Sequence, residues 1–152
     1  MKKQTTLIRD INEIEKLIKD ASTGVICIHL SNDKLMQFAC NFVYLDKNIY
    51  TFLDNSDENF VYVKYGSAGS LTVFNNEKVN SKTKDITYKL SYITINGEIK
   101  EVDDTKLIDQ ITELYRLKYS PSIKAENYKV SENFKPVILD TKEIKSVVEE
   151  GI

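Results

Sequence analysis

Three soft, titratable side chains are the first candidates for chemistry in this sequence. His29 is the single histidine, and Cys27 and Cys40 are the two cysteines. A histidine can carry a proton near neutral pH or ligate haem iron. His29 shares one strand face with Val25 and Cys27, which favours a structural role over haem ligation or proton transfer. Three ligands without CxxC-type spacing are a weak signal for zinc, so no metal site is predicted.

Carboxylates form a second group with binding potential. Asp54, Asp57 and Glu58 lie close together, and such a cluster either binds a cation or forms a solvated turn, which is the more common case. The sequence has no GxSxG, no P-loop and no GxGxxG motif. The glycines at 66 and 69 are too close together for a phosphate cradle and indicate a turn. Nine tyrosines provide aromatic walls for a ring-shaped ligand, or core and interface packing.

Composition limits the class of protein. The chain of 152 residues suits one domain with a sizeable core. A formal charge of -2 gives no electrostatic reason to expect nucleic acid binding. No apolar run approaches the roughly 20 residues of a membrane span. The first ten residues lack the apolar core of a secretory signal, so a cytoplasmic protein with reduced cysteines is expected.

Residues 35–54 form the segment that must position these groups. Its apolar side chains alternate with a period of two, which is typical of strands. Asp46, Lys47 and Asn48 interrupt the pattern, and so short a polar break indicates an antiparallel hairpin. Both strand faces are largely apolar and need cover, as in a barrel or a dimer interface. We therefore expect a homodimer with its interface near Phe38 to Phe52.

The rest of the chain supplies two helices and further strands. Residues 10–21 are predicted to be helical, with Asp10 as N-cap and Gly24 as the stop signal. A second helix is predicted over residues 103–119, with Asp103 or Asp104 as N-cap, and it ends before Pro121. Strands are predicted at 24–30, 70–74, 88–102, 134–139 and 143–148. Residues 59–65 fit a strand or a short helix, and residues 75–85 and 122–132 are polar loops.

This order of elements resembles the pyridoxamine 5′-phosphate oxidase-like family of flavin-binding split β-barrels. The segments Asn41-Phe42-Val43-Tyr44 and Asn48-Ile49-Tyr50 are similar to the family's hairpin, and residues 70–74 to its next strand. Gly97-Glu98-Ile99 and the acidic helix start after it resemble the family's long kinked strand and following helix. The likeness extends over residues 11–148. It implies a mainly β fold, an antiparallel split barrel with flanking helices, in which Asn96-Gly97 forms a bulge rather than a hairpin turn.

The resemblance also implies a cofactor and a site. Members of the family are typically homodimers that bind flavin mononucleotide (FMN) in clefts between subunits. Carried over to this sequence, the ring lies beside Phe38, Ala39, Cys40 and Asn41, and the phosphate lies toward Phe52, Leu53, Asp54, Ser56 and Lys64. Cys40 is then either a neighbour of the flavin or a core residue. Substrate and catalytic residues are not predicted.

Charge near the implied phosphate position leaves two hypotheses open. Asp54, Asp57 and Glu58 lie where the family usually has a cation, and a carboxylate near a phosphate weakens binding. The first hypothesis is an FMN-dependent oxidoreductase or flavin carrier that binds its cofactor weakly. The second is a dimeric binding protein on the same fold that is cofactor-free or binds another ligand such as haem, because fold alone does not determine function.

Overall fold

A computed structural model describes residues 3–7, 10–75 and 88–151 as eight strands, two α-helices and two short 3-10 helices. The 3-10 helices are Phe60–Tyr62 and Ala125–Asn127. The main elements are β1 (Lys3–Leu7), α1 (Ile11–Asp20), β2 (Gly24–His29), β3 (Leu35–Cys40), β4 (Val43–Leu45), β5 (Asn48–Asp54), β6 (Ala68–Asn75), β7 (Tyr88–Glu101), α2 (Thr105–Tyr119) and β8 (Phe134–Gly151).

All strands belong to one antiparallel sheet, which confirms the predicted fold class. The order is β3-β2-β6-β7-β8-β5-β4, and β1 pairs with β8 outside this path. The long strand β8 pairs with β5 at its beginning and with β1 at its end, so it joins these two strands in one sheet. Among the described residues, β3 pairs only with β2 and β4 pairs only with β5, so the sheet stays open between β3 and the β4–β5 hairpin. This opening is the split of the barrel.

The segment at 35–54 contains three strands instead of the predicted two. Asn41 and Phe42 interrupt it after β3, and the tight β4–β5 turn has Asp46 and Lys47 at positive φ values of 49° and 66°. Alternation of side chains continues through this break, so the pattern alone did not reveal it. The two strands predicted at the end of the chain are one continuous strand, β8.

Helix boundaries follow the predicted caps with one exception. Asp10 and Asp104 each accept a hydrogen bond from the backbone N–H two residues later, at 3.0 Å. The prediction that Gly24 ends α1 was wrong, because α1 ends at Asp20 and Gly24 begins β2. A Cβ atom at Gly24 would lie 2.7 Å from Leu71 Cδ1, so close packing explains this glycine.

The sequence predicts a strand or a short helix at residues 59–65 and a polar loop at residues 75–85. Residues 60–62 form a 3-10 helix, so the helical alternative was correct there. Most of the predicted loop at 75–85 lies outside the described residues. No helix in the described ranges is long and apolar enough to cross a membrane.

The strands at 35–54 are covered mainly by the chain itself. One apolar cluster fills the barrel, and a second lies between α2 and strands β4 and β5. Phe42, placed in the predicted dimer interface, is fully buried in the first cluster. The outer face of β3 is different, because Leu35 is 66% exposed. Both faces of β4 and β5 are therefore covered by the chain itself, whereas the outer face of β3 is not covered.

Gly97 lies at the predicted bulge, where the pairing of β7 with β8 shifts register. A Cβ atom there would lie only 2.1 Å from the backbone oxygen of Asp140. We expect Gly97→Ala to lower the free energy of unfolding by about 1–3 kcal/mol, because the strands must separate. Urea denaturation measures the change. Glu98→Ala is the control and should stay within about 0.5 kcal/mol of the parent; equal stability of both variants would contradict the close approach.

Candidate functional site

A cavity of about 510 Å³ lies at the split of the barrel. One side comes from β3 and the residue after it, another from β5, and the rest from α2 and the segment before β8. The lining residues are Phe38, Ala39, Cys40, Asn41, Thr51, Phe52, Asp54, Tyr115, Tyr128, Lys129, Val130, Ser131 and Phe134. Ligand pockets typically have volumes of roughly 300–1,000 Å³, so the cavity has the size of a small-molecule site.

Aromatic rings dominate the walls of this cavity. They belong to Phe38, Phe52, Tyr115, Tyr128 and Phe134. Phe52 and Tyr115 meet edge to face, with ring centroids 5.0 Å apart and an interplanar angle of 69°. This contact fixes the two rings relative to each other. The walls therefore suit a flat, partly apolar ligand.

The strand edges beside the cavity offer backbone hydrogen-bonding groups. In the described part of the chain, β3 has no strand partner on its outer edge. After Tyr50, β5 pairs with β8 on one edge and has no strand partner on the other. Along an antiparallel edge strand, alternate residues direct N–H and C=O groups away from the paired neighbour. These groups can bind the polar edge of a ligand.

The break between β3 and β4 is held by side chains of β5 and α2. The Asn41 carbonyl accepts hydrogen bonds from Thr51 Oγ1 (2.7 Å) and from the Tyr115 hydroxyl (2.8 Å). The Tyr119 hydroxyl accepts from the Phe42 N–H and lies 2.9 Å from the Phe42 carbonyl, to which Lys118 Nζ also donates. The backbone of this break is thus satisfied without another strand.

Cys40 is a buried, protonated thiol at the cavity floor. Burial raises its pKa to about 11, against a smaller lowering effect of the hydrogen bond with Thr51. Burial also raises the pKa of the Tyr115 hydroxyl. Because the thiolate is the nucleophile, Cys40 reacts slowly at neutral pH and faster as the pH approaches its raised pKa.

Charges are few in this cavity. Asp54 and Lys129 are its only charged lining residues. Asp54 Oδ1 accepts hydrogen bonds from both the backbone N–H and the hydroxyl of Ser56, at 2.9 and 2.6 Å, and these bonds lower the pKa of Asp54. Asp57 does not line the cavity; its carboxylate accepts a hydrogen bond from the Asn59 N–H. Only one of the three carboxylates predicted near a phosphate therefore faces this space.

The predicted site residues are partly brought together. Phe38, Ala39, Cys40, Asn41, Phe52 and Asp54 all line the cavity. Leu53 does not, because its side chain is fully buried in the barrel core. Ser56 lies behind Asp54, and Lys64 lines a different cavity beside His29. Flavin binding by these residues stays a prediction.

The sequence reasoning missed the other half of the cavity. Seven lining residues are not among the predicted ones: Thr51, Tyr115, Tyr128, Lys129, Val130, Ser131 and Phe134. The sequence pattern predicts only a polar loop at residues 122–132. Tyr128 and Val130 at alternate positions of that loop were the available signal, since isolated apolar side chains in a polar segment indicate contact with the body of the protein.

His29 lies away from this cavity and outside the core. Val25, Cys27 and His29 do share a face, but it is the outer face of β2, while Ile26 and Ile28 are buried. His29 is therefore a surface residue of β2 and not a core residue. His29 Nε2 is 3.7 Å from Asp33 Oδ1, and both side chains are solvent-accessible. The described residues contain no cluster of three or more His, Cys, Asp or Glu side chains suited to a metal ion.

Lys118 contacts Phe42 beneath the cavity, and its lowered pKa makes the stability of the protein depend on pH. Burial lowers its pKa to about 8, although its Nζ lies 4.0 Å from the Phe42 ring centroid and donates to the Phe42 carbonyl. Between about pH 8 and the ordinary lysine pKa near 10.4, the unfolded chain binds more protons at Lys118 than the folded chain does. Stability contributed through Lys118 therefore rises with pH in that range.

We expect the unfolding free energy of the parent, relative to Lys118→Met, to increase from pH 8 to pH 10. The comparison with the variant removes the opposite effects of Cys40 and the tyrosines, whose raised pKa values reduce stability at high pH. Urea denaturation at several pH values measures this difference. A difference that stays constant with pH would show that Lys118 is not buried as described.

Comparison with known proteins gives structural matches only. No family model and no curated protein matches this chain. A candidate 5-nitroimidazole antibiotic resistance protein from Bacteroides thetaiotaomicron matches with a TM-score of 0.80 and 13% identity, covering 99% of this chain and 91% of that one. The FAD and haem binding protein from Mycobacterium smegmatis matches with a TM-score of 0.68 and 9% identity, over 93% and 71%.

A third structure connects the fold to the resemblance seen in the sequence. It is a candidate pyridoxamine 5′-phosphate oxidase from Corynebacterium glutamicum, with a TM-score of 0.63 and 13% identity, covering 98% of this chain and 100% of that one. Identities this low establish the fold and not the activity. The chain therefore has the split β-barrel fold of the pyridoxamine 5′-phosphate oxidase-like proteins.

Proposed function

We propose that this protein binds FMN in the cavity at the split of the barrel and acts as a flavin-dependent oxidoreductase. The observation that carries the proposal is the combination of unpaired strand edges with aromatic walls in one cavity of about 510 Å³. Flavin needs both, because its ring has apolar faces and a polar edge. The names of the structural neighbours, which include FAD binding and pyridoxamine phosphate oxidation, support this class of ligand.

The residues present fit a flavin. Phe38 and Phe52 contribute apolar surface for the ring faces. The outer edge of β3 contributes backbone donors and acceptors for the ring's polar edge. Asp54 is the unfavourable group, but its carboxylate is occupied by Ser56, and Lys129 supplies a compensating positive charge in the same cavity.

The chemistry of such a complex comes from the flavin, which transfers one or two electrons. The chain binds and orients the ring and excludes water from its buried side. Cys40 stays protonated at neutral pH and supplies no nucleophile. Among the described residues of this cavity, none is a histidine, so the side chains that line it offer no proton carrier with a pKa near 7.

Haem is the second candidate ligand, because one structural neighbour is named as binding both FAD and haem. Haem iron needs an axial ligand such as histidine or a cysteine thiolate. His29 is the only histidine of the sequence and lines a different cavity. The raised pKa of Cys40 opposes thiolate formation. These two observations favour flavin at this site.

Titration of FMN fluorescence with the purified protein tests the proposal. We expect saturable quenching, and we expect FMN to slow alkylation of Cys40 in a Cys27→Ser variant, because Cys40 lines the cavity. The alkylation is run at alkaline pH, where more of the Cys40 thiol is ionised. The Cys27→Ser variant leaves Cys40 as the single thiol. Quenching without protection of Cys40 would place the flavin elsewhere. No quenching, together with a haem Soret band on addition of hemin, would favour the haem hypothesis.

We also propose that the protein is a homodimer in which the outer face of β3 meets the partner. Leu35 on this face is 66% exposed, and β3 has a free edge among the described strands. Light scattering at micromolar concentration should give a dimer for the parent and a monomer for Leu35→Glu. Leu117→Glu, at a 53% exposed position on α2, is the control and should remain dimeric. A monomeric parent protein would contradict the proposal.

A further inference from the structure

The segment between α2 and β8 carries the positive charge of the cavity. Lys129 and Ser131 line the cavity at the split, and both also line an adjoining cavity of about 500 Å³. The adjoining cavity adds Lys135 and Thr112, with Glu132 as its single acidic residue. The positive potential of this region therefore lies toward residues 129–135 and not toward the turn after β5.

This segment is anchored at both of its ends. Near its start, Arg116 Nη1 donates a hydrogen bond to the Ile123 carbonyl at 2.8 Å. Near its end, the Asn55 N–H donates to the Asn133 carbonyl at 2.8 Å, which ties the segment to the turn that follows β5. Tyr128 packs against the cluster beneath α2. Lys129 therefore extends from a held backbone position.

Lys129 and Ser131 also have free capacity to bind an anion. Among the described residues, Lys129 makes no ion pair and no side-chain hydrogen bond. Ser131 Oγ accepts a hydrogen bond from the Asn133 N–H at 3.4 Å, and its own proton remains available for donation. A cation and a hydroxyl donor on one short segment are the groups that a phosphate monoester requires.

We propose that Lys129 and Ser131 bind the phosphate of the flavin, in place of the turn at residues 54–58 and Lys64. This inference rests on the proposed flavin binding and assigns the cofactor's phosphate to a different part of the chain. Lys64 lines the cavity that contains His29 and does not line the cavity at the split. Asp54 lines the latter but is a carboxylate that already accepts two hydrogen bonds from Ser56.

Comparison of FMN with riboflavin, which has the same ring and no phosphate, tests the assignment. We expect Lys129→Gln to raise the Kd for FMN about tenfold, which corresponds to about 1.4 kcal/mol, and to leave the Kd for riboflavin unchanged. Added salt should weaken FMN binding by the parent more than by the variant, because the interaction is between exposed charges. Riboflavin binding also verifies that the variant is folded.

Two variants with the same loss of charge are matched controls. Lys124→Gln changes an exposed lysine of the same segment that lines neither of the two adjoining cavities, and Lys64→Gln changes the lysine predicted from sequence. Both should bind FMN like the parent. A selective loss of FMN binding in Lys64→Gln, or an equal loss of both ligands in Lys129→Gln, would overturn the assignment.

The behaviour of the parent protein separates this inference from the proposed function. If the parent binds FMN and riboflavin equally well, the phosphate is not held, and only the assignment to Lys129 and Ser131 is overturned. If the parent binds neither ligand, flavin binding itself is overturned, and this assignment is overturned with it.

Discussion

The opening in this barrel depends on how the chain satisfies its backbone at Asn41 and Phe42. A buried peptide group without a partner is costly, and the usual partner in a sheet is a neighbouring strand. Here Thr51, Tyr115 and Tyr119 supply the hydrogen bonds instead. The chain can therefore turn away from β3 and begin β4 without closing the sheet, and the edges of β3 and β5 face a cavity rather than each other.

The same tyrosines give the cavity its chemical character. Tyr115 contributes its ring to the wall and its hydroxyl to the Asn41 carbonyl. The packing around it removes water from the floor, and this burial raises the pKa of Cys40. The Cys40 thiol and the Tyr115 hydroxyl are consequently uncharged at physiological pH. A site of this kind suits a ligand that brings its own reactivity, as the proposed flavin would.

The carboxylates near the end of β5 are oriented by local hydrogen bonds, so their number does not give the charge that faces the cavity. Three carboxylates near the end of β5 suggested a repulsive phosphate site. The carboxylates of Asp54 and Asp57 instead cap their own turns through Ser56 and Asn59, and only Asp54 faces the cavity. Short Asx turns of this kind are common because the side chain reaches the backbone N–H two residues later. Lys129, distant in sequence, is the cation that shares the cavity with Asp54.

The sequence alone determined the features that depend on local pattern. Period-two alternation identified most of the strands, but not β1 or the break between β3 and β4. Asp10 and the pair Asp103 and Asp104 marked the helix starts, and the resemblance correctly assigned Asn96-Gly97 to a bulge. The resemblance also selected six of the residues that line the cavity, which lie in or directly after β3 and in β5. Tertiary structure decided which face of each strand is buried, so that His29 lies outside and Leu53 inside. It also decided that Tyr115 and Lys129 join the site, since both come from segments far along the chain whose position is set by packing of α2 and not by any local signal.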